Sequence, residues 1–170
     1  TKNGYTPVTS SIKQIAHIGV KTIFASHDAF CALDYNNKIV KVWGKNVKRS
    51  RKNYPNQPLR HDFYVDEFPT NLANVTTVFS SECAFAALLK NGTVQVSGRF
   101  LYGGCNSGEP YMQRSWGVHY SCKPDSLSNV KTIFSTSQAF AALTWTGNVV
   151  VWGAHRKGGC NDGPSPNTQY

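Results

Sequence analysis

The sequence lacks most of the features that identify a class of protein at once. No apolar run approaches the ~18 residues of a membrane-spanning helix, and no Cys-x-x-Cys pair suggests a metal site. Neither the serine-hydrolase motif G-x-S-x-G nor a lysine-containing phosphate loop occurs. No long amphipathic helix is indicated either. We therefore expect a protein without a membrane span, a metal, a cofactor or catalytic residues, and its compartment stays open.

Acidic residues are scarce. The 170 residues include 9 Asp and Glu against 18 Lys and Arg, which gives a formal net charge of +9. Such an excess favours an anionic partner, such as nucleic acid, an acidic protein surface, anionic lipid or an acidic glycan. Hydrophobic residues make up 40% of the chain, which is typical of a folded domain with a core.

One phrase is repeated along the chain. It is clearest as AFAALLKNGTVQVSG from Ala84 and as AFAALTWTGNVVVWG from Ala139. A weaker copy surrounds Phe30, and the equivalent phenylalanines are Phe85 and Phe140, so the period is 55 residues both times. A fixed period near 50 residues predicts a propeller, a solenoid or another repeat array.

The first copy is one residue longer than the others, because Gly44 and Gly98 close two copies at a spacing of 54 residues. We expect the extra residue in the first turn, between Asp34 and Lys38.

Each copy is typical of β-strands. A short β-branched segment precedes an Ala-rich apolar run, which we interpret as a crowded inner strand buried on both faces. Asn and Gly then mark a hairpin turn, since both accept positive φ, and an alternating strand follows. Two glycosylation sequons occur, at Asn74 and Asn91, and the second is also a turn signal.

The whole pattern resembles the blades of the regulator of chromosome condensation family. It runs V-x-x-I-x-x-x-x-x-A-F-A-A-L-x-x-x-G-x-V-x-V-W-G, then a glycine pair, then P-x-x-L-x-x-V, and covers residues 8–163. The resemblance implies four-stranded antiparallel blades, and typically seven blades close a ring in that family. It also implies protein–protein recognition through blade loops.

The chain departs from the family pattern in two places. Where the family usually has Gly-Gly, it has Ser80-Ser81, Ser135-Thr136 and Ala25-Ser26. Where the family usually has Gly-Gln-Leu-Gly, it has Gly103-Gly104-Cys105-Asn106. These changes indicate a divergent branch.

We therefore predict an all-β fold of three blade-like antiparallel repeats of about 55 residues, as a partial or assembling β-propeller. A β-trefoil is the alternative, because it also has three copies. Residues 1–170 are expected to form a single repeat domain, with units at about 8–60, 61–115 and 116–170.

The first repeat ends in a basic loop where the others have a glycine pair. This loop contains no acid between residues 45 and 60, and Tyr54 is available there to stack on a base. An anionic partner is its expected ligand, although a solvated loop has the same composition. The basic residues are Lys45, Lys48, Arg49, Arg51, Lys52 and Arg60.

Five cysteines leave at least one outside a disulfide. Cys105 and Cys160 occupy equivalent positions one repeat apart, which is too far for a bond between them. Cys105 is instead expected to pair with Cys122 if the compartment is oxidising. Cys31 and Cys83 lie in or beside apolar strands and are expected to be buried thiols.

Aromatic residues suggest both packing and recognition. Trp43 and Trp152 end equivalent strands and are expected to pack between blades. A second group is a candidate surface for sugar or peptide, or else covers its own blade. Besides Tyr54, this group consists of Tyr102, Trp116 and His119.

The acid–base pairs do not indicate catalysis. His27-Asp28 and Asp66-Glu67 are neighbours in sequence, and neighbours on a strand point to opposite faces, so no shared site is expected. The prediction is a non-catalytic module that mediates protein–protein interaction or self-assembly through blade loops, in an oligomer or a larger assembly. The alternatives are a basic nucleic-acid or chromatin-binding module and a lectin-like carbohydrate-binding domain.

Overall fold

The structure is a computed structural model that describes residues 19–44, 68–69, 72–106 and 120–159, together with the backbone at 65–66, 112–113 and 119. The described part contains twelve β-strands. The strands are β1 (Val20–Ala25), β2 (Ala29–Asp34), β3 (Ile39–Gly44), β4 (Val65–Asp66), β5 (Val75–Ser80), β6 (Ala84–Leu89), β7 (Val94–Arg99), β8 (Met112–Gln113), β9 (His119–Ser121), β10 (Val130–Ser135), β11 (Ala139–Thr144) and β12 (Val149–Ala154).

The strands form three antiparallel sheets, one for each copy of the repeat. Sheet 1 has the order β1-β2-β3, sheet 2 the order β5-β6-β7-β4, and sheet 3 the order β10-β11-β12-β9-β8. Two single-turn 3-10 helices, Phe100–Tyr102 and His155–Lys157, follow β7 and β12. The fold is all-β, and three separate sheets match the predicted blades rather than the trefoil alternative.

The outer strands of sheets 2 and 3 come from the links that precede them. β4 pairs Asp66 with Gly98, and β9 pairs Ser121 with Gly153, so the period of 55 extends into the outer strands. The predicted unit boundaries near residues 60 and 115 stay predictions.

The Ala-rich strands are inner strands, as expected, because each is second in its sheet and pairs with a neighbour on either side. The strands in contact between neighbouring sheets are mainly β1, β5 and β10, each at the edge of its own sheet. β6 lies behind β5 and is buried on both faces, with Ala84, Ala86 and Ala87 at 0% exposure. Small side chains at these positions leave room for large ones from the sheets on either side.

The extra residue of the first copy lies in β3, so its predicted place in the turn is wrong. Leu33 pairs with Ile39 but Ala32 pairs with Lys41, which leaves Val40 as a β-bulge. The equivalent Leu88–Val94 pair of sheet 2 spans a turn of the same length.

The hydrophobic core consists mainly of two layers, each between consecutive sheets. In both layers, the earlier sheet contributes Ala and Leu together with Val or Ile. The following sheet contributes one Phe and two β-branched residues. Between sheets 1 and 2 the buried residues are Ala29, Cys31, Leu33, Ile39, Val75, Val78, Phe85 and Ala87. Between sheets 2 and 3 they are Ala84, Ala86, Leu88, Val94, Val96, Leu127, Val130, Ile133, Phe140, Ala142 and Trp152.

Hydrogen bonds repeated at the period of 55 join β1 to β5 and β5 to β10. Ser80 Oγ donates to the Ala25 carbonyl and Ser135 Oγ donates to the Ser80 carbonyl, both at 2.7 Å. These serines stand where the family pattern has glycine, so the departure from that pattern supplies a bond between sheets.

A second ladder runs through the adjacent turns. The His27 N–H donates to the Glu82 carbonyl at 3.1 Å, and the Glu82 N–H donates to the Ser137 carbonyl at 2.9 Å. The two ladders fix neighbouring sheets in one register, because both use backbone groups at the edge of each sheet.

Candidate functional site

The three β-hairpin tips that follow β2, β6 and β11 lie along one edge of the molecule, and we call them the hairpin row (35–37, 90–92 and 145–147). The first and second tips each accept a backbone hydrogen bond from the following repeat. The Val75 N–H donates to the Asn37 carbonyl, and the Val130 N–H donates to the Gly92 carbonyl, both at 2.9 Å. The row is therefore fixed by the stacking of the sheets.

Each tip is closed by a different side chain. The carboxylate of Asp34 accepts the N–H groups of Asn36 and Lys38, both at 2.9 Å. In the second tip Asn91 Oδ1 accepts from the Thr93 N–H, and in the third Thr144 Oγ1 accepts from the Asn148 N–H. Short polar side chains bond their own turns in this way and hold the tip rigid.

The residues at the front of the row are exposed. Tyr35, Lys90 and Trp145 occupy equivalent positions, and Tyr35 is 73% and Trp145 67% exposed. Aromatic side chains this exposed are unusual on a folded surface, and Tyr and Trp are enriched among the residues that dominate binding energy.

The hairpin row is bordered by lysines. Lys21 and Lys131 are bulge residues in β1 and β10, where the register shifts by one, and both are exposed. Lys131 Nζ lies 5.1 Å above the Trp145 ring, and Lys21 Nζ donates to Asn37 Oδ1 at 3.1 Å. The surface therefore combines aromatic faces with positive charge.

The Gly103-Gly104 exit of sheet 2 packs on sheet 3. Gly103 has a φ of +88°, and a Cβ there would lie 2.6 Å from Phe140 Cδ2. Its carbonyl accepts a 2.9 Å hydrogen bond from Trp152 Nε1. Phe140 and Trp152 are stacked 5.3 Å apart and almost fully buried, so Trp152 packs between blades as expected.

Asn106, the last residue of the Gly-Gly-Cys-Asn exit, folds back on its own sheet. Its Oδ1 accepts from the Val96 N–H at 3.1 Å, and its Nδ2 donates to the Val96 carbonyl at 2.5 Å. The amide thereby satisfies both backbone groups of Val96, as a neighbouring strand would.

Cys105 and Cys122 form a disulfide, the pairing expected for an oxidising compartment. It connects the exit of sheet 2 to the end of β9, the strand that lies beside β12 in sheet 3. Tyr120 is fully buried next to the bridge. The disulfide therefore joins two neighbouring sheets.

The other two described cysteines are buried thiols outside any disulfide, as expected. Burial raises the pKa of the Cys31 thiol to about 12, because the charged thiolate is poorly solvated there.

The predicted recognition residues are only partly described. Tyr102 lies in the 3-10 turn after β7, packs against the core and accepts a hydrogen bond on its carbonyl from Ser81 Oγ at 2.8 Å. Burial, with smaller contributions from Cys83 and Glu82, raises the pKa of Tyr102. His119 is described only in its backbone, in β9. The remaining candidates lie outside the described residues: Lys45, Lys48, Arg49, Arg51, Lys52, Tyr54, Arg60 and Trp116.

His27 and Asp28 do share a site, contrary to the expectation from strand geometry. They lie in the turn between β1 and β2, where side chains do not alternate between faces, and His27 Nδ1 is 3.0 Å from Asp28 Oδ1. Asp66 is described only in its backbone, and Glu67 lies outside the described residues.

The described ranges contain no group of three or more His, Cys, Asp or Glu residues that could hold a metal ion. None of the helices in these ranges is long and apolar enough to cross a membrane.

The fold is similar to that of two solved structures. One is Prp20p from Saccharomyces cerevisiae, described with its binding to Gsp1p and histones, at 17% sequence identity and a TM-score of 0.50, covering 79% of this chain and 33% of Prp20p. The other is yeast RCC1 (Prp20) bound to Kap60, at 22% identity and a TM-score of 0.49, covering 79% of this chain and 29% of that one. No family model and no curated protein matches the chain. The likeness to Prp20p shows a β-propeller-like fold, and the chain spans about a third of Prp20p.

Proposed function

We propose that the protein is a non-catalytic binding module that recognises an acidic protein surface through its hairpin row. The observation that carries the proposal is the exposure of Tyr35 and Trp145 at equivalent tips, beside lysines and on rigid turns. A rigid aromatic side chain loses little conformational entropy when it binds, so such residues are effective anchors. The lysines favour a partner of negative charge.

The repeat fold supports the same proposal. Prp20p has a similar fold and is described with its binding to Gsp1p and histones, which are proteins. A stack of sheets with short loops at its edge offers a broad rigid surface rather than a deep cleft, and such surfaces suit macromolecules.

A second candidate is binding to nucleic acid. Bases stack on exposed aromatic rings, and phosphates attract nearby lysines, so Trp145 with Lys131 suits a single strand as well. The basic loop predicted from the sequence belongs to this candidate.

A photo-crosslinking amino acid at position 35 or 145 distinguishes the candidates. The variants are crosslinked in an extract of the source cells, and the adducts are identified by mass spectrometry. The proposal expects defined acidic proteins, and the same purified partner should bind the Tyr35→Ala/Trp145→Ala variant at least tenfold more weakly.

The control carries the crosslinker at Lys157, which is exposed in the 3-10 turn after β12 and lies away from the hairpin row. Nucleotide adducts at 35 and 145, with binding that falls steeply as salt rises, would establish the second candidate instead. Equal labelling from all three positions would overturn both.

A further inference from the structure

The two internal interfaces show how one sheet recognises the next. We call the side of a sheet that packs on the sheet before it the leading face, and the opposite side the trailing face. In sheet 3 the leading face carries Ile133 and Phe140, and in sheet 2 the trailing face carries Leu88 and Val94. These four side chains are 1–6% exposed.

Sheet 1 has a leading face that no described residue buries. Ile23 and Phe30, the equivalents of Ile133 and Phe140, are 53% and 45% exposed. Phe30 nevertheless stacks on Trp43 at 5.5 Å and 26°, almost the same geometry as the buried Phe140–Trp152 pair. The face therefore has the shape of an interface while its side chains remain in contact with water.

Sheet 3 has the complementary trailing face. Val149 is the equivalent of Val94 and is 55% exposed. Phe134 is the equivalent of Phe79, which packs against the core, and is 61% exposed. Exposed apolar side chains on one face of a sheet indicate a surface that another protein covers.

The hydrogen-bond donor and acceptor found at the interface of sheets 2 and 3 also have equivalents on the two exposed faces, the donor on sheet 1 and the acceptor after sheet 3. Trp43 Nε1 has no acceptor among the described residues, whereas Trp152 Nε1 donates to the carbonyl of Gly103. Gly158 is the equivalent of Gly103 and has a similar φ, +98° against +88°, but among the described residues a Cβ there would meet only Thr136 Cγ2, at 3.9 Å. The exit at Gly158 thus has the geometry that received a Phe–Trp pair at Gly103, and no described ring packs against it.

We propose that two copies of the protein associate head to tail, with the trailing face of sheet 3 of each copy packed on the leading face of sheet 1 of the other. This inference goes beyond the proposed function, because it concerns the sheet faces rather than the hairpin row, and its partner is a second copy. Trp43 Nε1 of one copy donates to the Gly158 carbonyl of the second. Two copies supply six sheets, which lies within the four to eight blades that close typical propellers.

Comparison with the interfaces between sheets 1 and 2 and between sheets 2 and 3 predicts that the interface between two copies is weaker. The Ser137 N–H, which has no acceptor among the described residues, can donate to the His27 carbonyl of the second copy, as Glu82 does to Ser137. The hydroxyl ladder does not continue, because Ala25 stands where Ser80 and Ser135 carry the donor. The dimer is therefore expected to dissociate on dilution.

Sedimentation equilibrium of the full chain over a range of concentrations tests the proposal. The expected mass rises from 18.8 kDa to twice that value. Ile23→Glu and Val149→Glu should each be monomeric at all concentrations, whereas an equimolar mixture of the two should form a one-to-one heterodimer. The mixture retains one interface between two unaltered faces, which is the signature of a head-to-tail contact.

Trp43→Phe should weaken self-association about fivefold at each interface, since it removes one hydrogen bond and keeps an aromatic ring. Tyr35→Glu in the hairpin row is the matched control and should dimerise normally. Circular dichroism confirms that each variant is folded. A wild-type monomer at every concentration would overturn the inference, and so would a Val149→Glu variant that still dimerises, which indicates two leading faces in contact. Either result leaves the crosslinking test of the hairpin row unaffected.

Discussion

Phe30 and Phe140 allow the packing argument to be tested within one chain, because they are equivalent residues with different surroundings. Phe140 is 1% exposed, stacks on Trp152 and packs beside Gly103 of the preceding sheet. Phe140→Ala removes a buried ring and leaves a cavity, so we expect the free energy of unfolding to fall by about 3–5 kcal/mol. For a chain of this size the melting temperature should fall by roughly 6–20 °C.

Phe30→Ala should be much milder in the monomer. Phe30 is 45% exposed, so about half of the 1.5–3 kcal/mol for burying such a side chain is at stake, or about 1 kcal/mol. No closed cavity forms at an open face, so no further penalty is added.

Urea unfolding at low micromolar concentration, followed by tryptophan fluorescence, measures both variants. An unchanged m-value shows that the denatured states are comparable. Equal losses for Phe30→Ala and Phe140→Ala would refute the distinction between the open and the covered leading face. If the second copy covers Phe30, the loss caused by Phe30→Ala should grow as the protein concentration rises, whereas that of Phe140→Ala should not.

Three further predictions follow from the sheet contacts. Cys105→Ser/Cys122→Ser should lower the free energy of unfolding by about 3 kcal/mol, because the disulfide closes a loop of 17 residues; wild-type protein in a reducing buffer should lose the same amount in urea unfolding. Gly103→Ala should destabilise the monomer more than Gly158→Ala, since both glycines have positive φ but only Gly103 faces a ring; similar midpoints in urea would contradict this. Because the pKa of Cys31 is raised to about 12, the unfolded thiol ionises first, so stability should fall as pH rises from about 9 towards 12. Cys31→Ala should flatten that part of the stability curve, and an unchanged slope would refute the assignment.

The period of the sequence was sufficient to predict the sheets, because each copy repeats the same pattern of burial and turns. It could not place the extra residue of the first copy. A longer turn and a bulge at Val40 add one residue alike, and only strand register distinguishes them. The Ala-rich strands were predicted to be inner strands, which is confirmed. The strands on either side of them depend on which neighbours pair, which a single copy does not specify.

The candidate site was harder to predict from the sequence than the fold. Charge density indicated the basic loop, whereas the aromatic tips are single residues, Tyr35 and Trp145, in turns that differ between copies. Alignment of the copies at the period of 55 would have paired these two positions, and this signal was missed. The contact of Trp152 with Gly103 joins residues 49 apart in different repeats, so no local pattern reveals it.

The clamp that Asn106 makes on Val96 has a consequence for solubility. β7 pairs with β6 on one side, and on the other side the short β4 pairs only with its last two residues, so the middle of β7 has no strand on that second side within the described ranges. A row of free N–H and C=O groups would invite a strand from another chain and lead to aggregation. The Asn106 amide occupies both groups of Val96 at the point where such an invading strand would have to begin. One side chain thereby protects the open side of β7 against pairing with a strand of another molecule.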